Sequence, residues 1–236
     1  MNIALILSGG TGTRLGGDIP KQYIEAGGHL IISYCIACLS MHEGIDKIQI
    51  VADPVWRERI LGCLDGEEAG EAFKGKFSGF SAPGQTRQLS ILSGLKDIIE
   101  YAGEEDCVLI HDAARPLLTK KLVSECLDGM KGHDGVLPVL PMKDTVYVSK
   151  GGGRISSLID RKELFAGQAP ELFRLGPYLE ANRRLLPEKI LEINGSTEPA
   201  ILAGMDIVMI PGDENNFKIT TRADLERFRG IVCGTV

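Results

Sequence analysis

The chain has 236 residues, 44% of them hydrophobic and 25% charged, with a net charge of -6 at pH 7. That is the balance of a folded chain long enough to bury a core without staples. The acidic excess argues against general nucleic-acid binding, which needs surplus positive charge, yet it leaves room for a small basic pocket.

The opening residues MNIALILSGG show no basic leader and too short an apolar run for a signal core or a membrane span. A cytoplasmic chain without membrane association is therefore expected. Residues 3–7 read as a buried strand running into a glycine loop. A helix is predicted over 30–39, a second strand over 48–52 and a helical stretch over 56–63. The segment DGEEAGEAFKGK, 65–76, is polar and reads as a surface excursion. A third strand covers 77–82. Apolar residues at Leu89, Ile91, Leu92, Leu95, Ile98 and Ile99 recur at helical spacing over 88–99. Strand 107–111, helix 121–130 and strand 135–141 follow.

Strands alternating with helices predict an α/β fold, with a Rossmann-like, mostly parallel sheet covered by helices on both faces. Its ligand crevice should lie beyond the carboxyl ends of the strands. Residues 144–160 break the alternation, with two β-rich runs around Gly151, Gly152 and Gly153. They read as a projecting hairpin, which needs something to pack on. A mostly helical stretch, apolar runs at 206–210 and 217–220, and a helix over 223–229 complete the chain. Without repeat or linker, residues 1–236 read as a single domain with one arm. The cysteines at 35, 38, 63, 107, 126 and 233 are scattered, many within apolar runs, and read as free thiols. The C-x-x-C of Cys35 and Cys38 has no second pair to complete a zinc site.

The loop after the first strand is LSGGTGTRLGGDIPKQ, with glycines at 9, 10, 12, 16 and 17. Such density lets backbone N–H groups form an anion nest. The dinucleotide pattern fails because Leu15 stands where its last glycine belongs, and the P-loop fails because Asp18 follows Gly17. Instead the loop carries two cations, Arg14 and Lys21. A glycine nest with two cations at a strand end suits a triphosphate. Further along, PGQTRQLS follows the third strand, with Arg87 either a solvated helix-end charge or a ligand group, and HDAARP follows the fourth.

The combination G-G-x-G-x-R, P-K-Q-Y and HDAARP resembles the cytidylyltransferase branch of the sugar nucleotidyltransferases. That branch includes the 2-C-methyl-D-erythritol 4-phosphate cytidylyltransferases and their relatives, the ribitol-5-phosphate cytidylyltransferases. The resemblance runs over about residues 3–228. It implies a nucleotidyltransferase-type fold and transfer of a cytidylyl group from CTP to 2-C-methyl-D-erythritol 4-phosphate. The products would be 4-diphosphocytidyl-2-C-methyl-D-erythritol, an isoprenoid precursor, and pyrophosphate. It further implies that Arg14, Lys21 and Lys218 are catalytic, meeting the α-phosphate and leaving group. Leu7, Ser8, Gly9, Gly10, Gly12, Gly84 and Ser90 would hold the nucleotide. Asp112, Arg115, Thr145 and Arg161 would hold the polyol phosphate, Asp112 also assisting a Mg²⁺ that travels with CTP. The arm would cross to a second subunit in a homodimer and present Arg161 to the neighbour's site. Ribitol 5-phosphate is the alternative acceptor, and a non-catalytic nucleotide-binding regulator the alternative of another class. The sequence departs from the family pattern on the acceptor side. Gln168-Ala169-Pro170-Glu171 replaces Q-T-P-Q, losing a hydroxyl and adding a carboxylate, and 195–199 read GSTEP.

Overall fold

The computed structural model describes residues 1–10 and 19–234. In chain order the elements are β1 (Asn2–Leu7), β2 (Glu25–Ala26), β3 (His29–Leu30), α1 (Ile31–Ser40), β4 (Lys47–Val51), α2 (Pro54–Leu61), α3 (Glu68–Lys76), β5 (Phe77–Ser81) and α4 (Arg87–Ile98). There follow β6 (Cys107–Asp112), α5 (Lys120–Gly129), β7 (Gly135–Pro141), β8 (Val146–Val148), β9 (Ser157–Ile159), β10 (Phe165–Gly167), β11 (Glu171–Arg174), α6 (Leu175–Arg183), α7 (Glu198–Leu202), β12 (Ile207–Pro211) and α8 (Arg222–Val232).

The main sheet runs β7-β11-β6-β1-β4-β5, with β10 and β12 also paired to β7. Pairings β6–β1, β1–β4, β4–β5 and β7–β12 are parallel; β10 and β11 run antiparallel to their neighbours. Alternation along β1 shows how the layers form. Ala4 and Ile6 join a core with Cys35, Ile36, Leu39, Phe73 and Val123 from α1, α3 and α5. Ile3 and Leu5 face the opposite core, built with Ile91, Leu95, Tyr178 and Leu179 from α4 and α6. A strand whose residues are buried on both faces reads as a continuous apolar run. A third cluster, with Ile31, Ile219, Leu225 and Phe228, docks α8.

The alternating α/β reading holds, with two corrections. The polar segment 65–76 is helical over most of its length: Phe73 is 1% exposed and anchors α3 on the core, and a single buried aromatic outweighs a polar composition. The stretch after the arm contains β10 and β11 before it turns helical. Short antiparallel strands, β11 between β6 and β7 and β10 beside β7, take their pairing from the sheet, a signal absent from local periodicity. Residues 217–220 form no ladder strand; they are tied down by the Ile219 N–H donating to the Ala114 carbonyl at 2.8 Å.

The arm is the two-stranded β8–β9 hairpin, with Val146 opposite Ile159. Gly151, Gly152 and Gly153 at its tip have φ of 90°, 79° and 85°, a conformation side chains rarely adopt. Tyr147, Ile155 and Leu158 on it are 55%, 68% and 63% exposed, an apolar surface left uncovered by its own chain. All six cysteines are free thiols; Cys35 and Cys126 are buried and Cys233 is exposed. Among the described residues no helix is long and apolar enough to cross a membrane.

Candidate active site

Parallel strands β6, β1, β4 and β5 lie in that order in the sheet, and the turns leaving β1, β5 and β6 surround a cleft of about 830 Å³. Leu7, Gly9, Gly10, Lys21, Gly84, Arg87, Ser90, Asp112 and Lys218 line it. The expected nucleotide and phosphate groups thus converge from four stretches of sequence. Gly12 and Arg14 lie outside the described residues.

The turn after β1 is shaped from below by the PKQY segment. The Gln22 amide donates to the carbonyls of Ser8 and Gly10, both at 2.8 Å. The Ser8 hydroxyl turns inward to Tyr23 Oη at 2.8 Å, and Tyr23 stacks on Trp56 with ring centroids 4.4 Å apart. Ser8 therefore shapes the turn, whereas Leu7, Gly9 and Gly10 line the cleft. Lys21 follows Pro20 in a short 3₁₀ turn that brings it to the cleft wall. At the second wall Thr86 caps α4 by accepting from the Leu89 N–H. The Gly84 N–H donates to Ser90 Oγ at 3.0 Å. A Cβ on Gly84 would lie 2.5 Å from Leu89 Cβ and 2.7 Å from the Leu89 carbonyl carbon, so only glycine allows this loop to close on the helix.

The floor is a charged cluster around Asp112. Arg87 Nε donates to its Oδ1 at 3.2 Å, Lys218 Nζ reaches Oδ2 at 2.9 Å, and Arg115 Nε lies 3.7 Å from Oδ2. Burial would raise the carboxyl pKa, but these cations outweigh it and hold Asp112 well below the usual carboxylate range. Arg115 itself does not line the cleft. Its Nη1 donates to the Asn216 carbonyl at 2.7 Å, bracing the segment that delivers Lys218. His111 is packed and structural: one ring nitrogen pairs with the Arg115 carbonyl at 3.0 Å, Nδ1 is buried without a partner, and burial pushes its pKa down to about 4.

Thr145 and Arg161 do not line this chain's cleft. Arg161, at the root of the arm, donates to the Lys143 carbonyl at 2.7 Å.

The two departures on the acceptor side are one local feature. Glu171 is 8% exposed and points inward. Its Oε1 lies 4.0 Å from Arg87 Nη2, and its Oε2 accepts from Thr197 Oγ1 at 3.2 Å. Ser196 Oγ accepts from Arg87 Nη1 at 2.7 Å. The added carboxylate is therefore held against Arg87 beneath the cleft. Ala169 is 3% exposed, and its carbonyl accepts from the Asn216 amide at 2.7 Å. Gln168 exchanges two hydrogen bonds with the Asp213 backbone, at 3.0 and 2.9 Å. Sequence reasoning missed these braces. The unusual 168–171 and 195–199 segments flagged the region, but nothing in the sequence paired them.

A glycine turn, backbone donors and clustered cations at the carboxyl end of a mostly parallel sheet define an α/β protein of the nucleotidyltransferase type. The pattern of the 2-C-methyl-D-erythritol 4-phosphate cytidylyltransferase (IspD) family matches residues 2–233, and the chain belongs to that family. The bifunctional enzyme IspD/IspF of Maricaulis maris is 34% identical over 228 residues, which cover 95% of this chain and 55% of that protein. The corresponding enzyme of Rhodospirillum rubrum is 34% identical over 234 residues, 96% of this chain and 57% of that one. The chain thus spans a little over half the length of these curated relatives. A crystal structure of 4-diphosphocytidyl-2C-methyl-D-erythritol synthase superimposes with a TM-score of 0.79 at 26% identity, covering 98% of this chain and 97% of the other. The synthase from Anaerococcus prevotii shares the fold, with a TM-score of 0.81 at 20% identity over 98% and 96% of the two chains.

Proposed function

We propose that this chain transfers a cytidylyl group from CTP to 2-C-methyl-D-erythritol 4-phosphate, releasing pyrophosphate. The observation that carries the reading is the meeting of Lys21, Lys218 and Asp112 in one glycine-walled cleft. The nucleophile is a phosphate oxygen of the acceptor, which is mostly dianionic at neutral pH with a second pKa near ~6, so no general base is required. The obstacle is electrostatic, an anion approaching a polyanion. Positioning and charge neutralisation along an in-line path supply the catalysis. Lys21, Lys218 and Arg14 are assigned to the α-phosphate and leaving group. The turn around Gly9 and Gly84, with Ser90, is assigned to the base and ribose. Asp112 is assigned to acceptor hydroxyls, and the retention of both lysines at the cleft favours an enzyme over a nucleotide-binding regulator.

Among the described residues no group of three or more His, Cys, Asp or Glu side chains is arranged to hold a metal. A Mg²⁺ carried by the nucleotide would be held mostly by phosphate oxygens, and Asp112, which lines the cleft, would add one carboxylate oxygen. When bound, the ion would neutralise phosphate charge.

Residues 1–236 are proposed to act as one cytidylyltransferase unit, in the cytoplasm, where free thiols persist. The exposed apolar side chains of the 144–160 arm support a homodimer in which Thr145 and the partner's arm complete the acceptor site. Buried Ala169, lacking a hydroxyl, keeps ribitol 5-phosphate as the second acceptor reading. Measuring pyrophosphate release from CTP with each polyol phosphate tests both. Release with methylerythritol phosphate is expected, and release with neither would overturn the assignment.

A further inference from the structure

Arg87 has a partner on each of its nitrogens. Nε donates to Asp112 Oδ1 at 3.2 Å, Nη1 donates to Ser196 Oγ at 2.7 Å, and Nη2 lies 4.0 Å from Glu171 Oε1. These partners stand at the end of β6, in the loop before α7 and at the start of β11. Arg87 and Asp112 line the cleft, whereas Glu171 and Ser196 lie behind it, 8% and 2% exposed. The Ser196 carbonyl is fixed in turn by Tyr178 Oη at 2.6 Å, and Tyr178 stacks on Phe173 with centroids 4.1 Å apart.

We propose that Glu171 is a positioning residue that acts through Arg87. Held between two carboxylates and a hydroxyl, the guanidinium takes only Oδ1 of Asp112 and leaves Oδ2 to Lys218. A guanidinium offers a planar fork that matches a carboxylate in bidentate fashion. Without the charge of Glu171 behind it, Arg87 turns that fork onto Asp112 and takes up the second lone pair of Oδ2 beside Lys218. Asp112 then presents less free acceptor capacity to a ligand hydroxyl. Glu171 thus sets how the acceptor side of the cleft meets its substrate without touching that substrate. This inference rests on the cytidylyl-transfer reading for the identity of the acceptor.

Glu171→Gln keeps the volume and the bond from Thr197 while removing the charge. The expected result is a KM for the polyol phosphate raised about tenfold, with the KM for CTP within about twofold and the melting temperature nearly unchanged. Ser196→Ala, which removes a different hold on the same guanidinium, should raise the acceptor KM selectively as well and serves if Glu171→Gln does not fold. Thr197→Val removes a hydrogen bond to Glu171 but leaves its charge, and should leave both KM values unaltered. A rise with Thr197→Val equal to that with Glu171→Gln would mean that ordinary packing is at work and would overturn the proposal. So would unchanged acceptor KM values in Glu171→Gln and Ser196→Ala. A crystal structure of Glu171→Gln gives a reading independent of turnover: a guanidinium bidentate on Asp112 through Nε and Nη2 supports the proposal, and one bonded to Asp112 through Nε alone overturns it. A wild type inactive with both polyol phosphates would overturn the functional reading and the acceptor part of this inference. An active wild type with a kinetically normal Glu171→Gln overturns the inference alone.

Discussion

Lys218 Nζ lies 2.9 Å from Asp112 Oδ2, joining groups 106 positions apart in the chain. The lysine comes from an extended segment pinned by Ile219 to Ala114, and the carboxylate from the end of a central strand. Their pairing fixes the cleft floor and places a cation beside the position assigned to the α-phosphate.

Lys21→Ala is expected to lower turnover by at least about 100-fold with the fold intact. Removing one donor to a developing transition-state charge costs about 3 kcal/mol. Lys21 stands at the cleft wall rather than in a core cluster, so its truncation opens no cavity. Steady-state kinetics together with a circular dichroism spectrum check this; near-normal turnover in a folded variant would remove Lys21 from the phosphate site.

CTP is expected to be used well ahead of UTP, ATP and GTP. The Gly84–Ser90 wall offers backbone and hydroxyl groups at short range. A pocket that hydrogen-bonds an exocyclic amine rejects bases lacking it far better than one that reads shape. Initial rates with the four triphosphates decide the matter, and equal use of UTP would contradict a cytidylyl assignment.

If the arm exchanges between subunits, mixing inactive Arg161→Ala with inactive Lys21→Ala should restore activity. In a mixed dimer one site of two keeps both wild-type groups, and random re-pairing forms such dimers half the time, giving roughly a quarter of wild-type activity. Subunit exchange is verified by mass-tagged chains. Mixed dimers that stay inactive would confine Arg161 to its own chain.

The buried His111 predicts acid sensitivity of stability. Its folded pKa, about 4, lies below the ordinary value of 6.5 because burial disfavours the cation. As pH falls below 6.5 the unfolded chain takes up a proton that the folded chain refuses, so stability drops until about pH 4. Between pH 7 and pH 5 the loss should be on the order of 2 kcal/mol. Urea unfolding of wild type and His111→Gln at both pH values measures it. The variant, whose amide can still donate to the Arg115 carbonyl, should show a flatter dependence.

Lys218 is reached only through the family resemblance; the sequence by itself determined the strand–helix alternation, the glycine-rich turn after β1, the helix read at 88–99 and the placement of Lys21, Gly84 and Asp112 beyond strand ends. Each depends on local periodicity, on turn chemistry, or on a strand end where a parallel sheet opens its crevice. Only the tertiary structure decided that α3 is a helix, since one buried Phe73 outweighs a polar neighbourhood. Tertiary packing likewise made strands of β10 and β11, whose pairing partners lie in β6 and β7. It also turned Glu171 away from the cleft and onto Arg87. The physical reason is that a charged side chain is oriented by the partners that surround it on burial, and those partners, Arg87, Ser196 and Thr197, arrive from segments far apart in the chain.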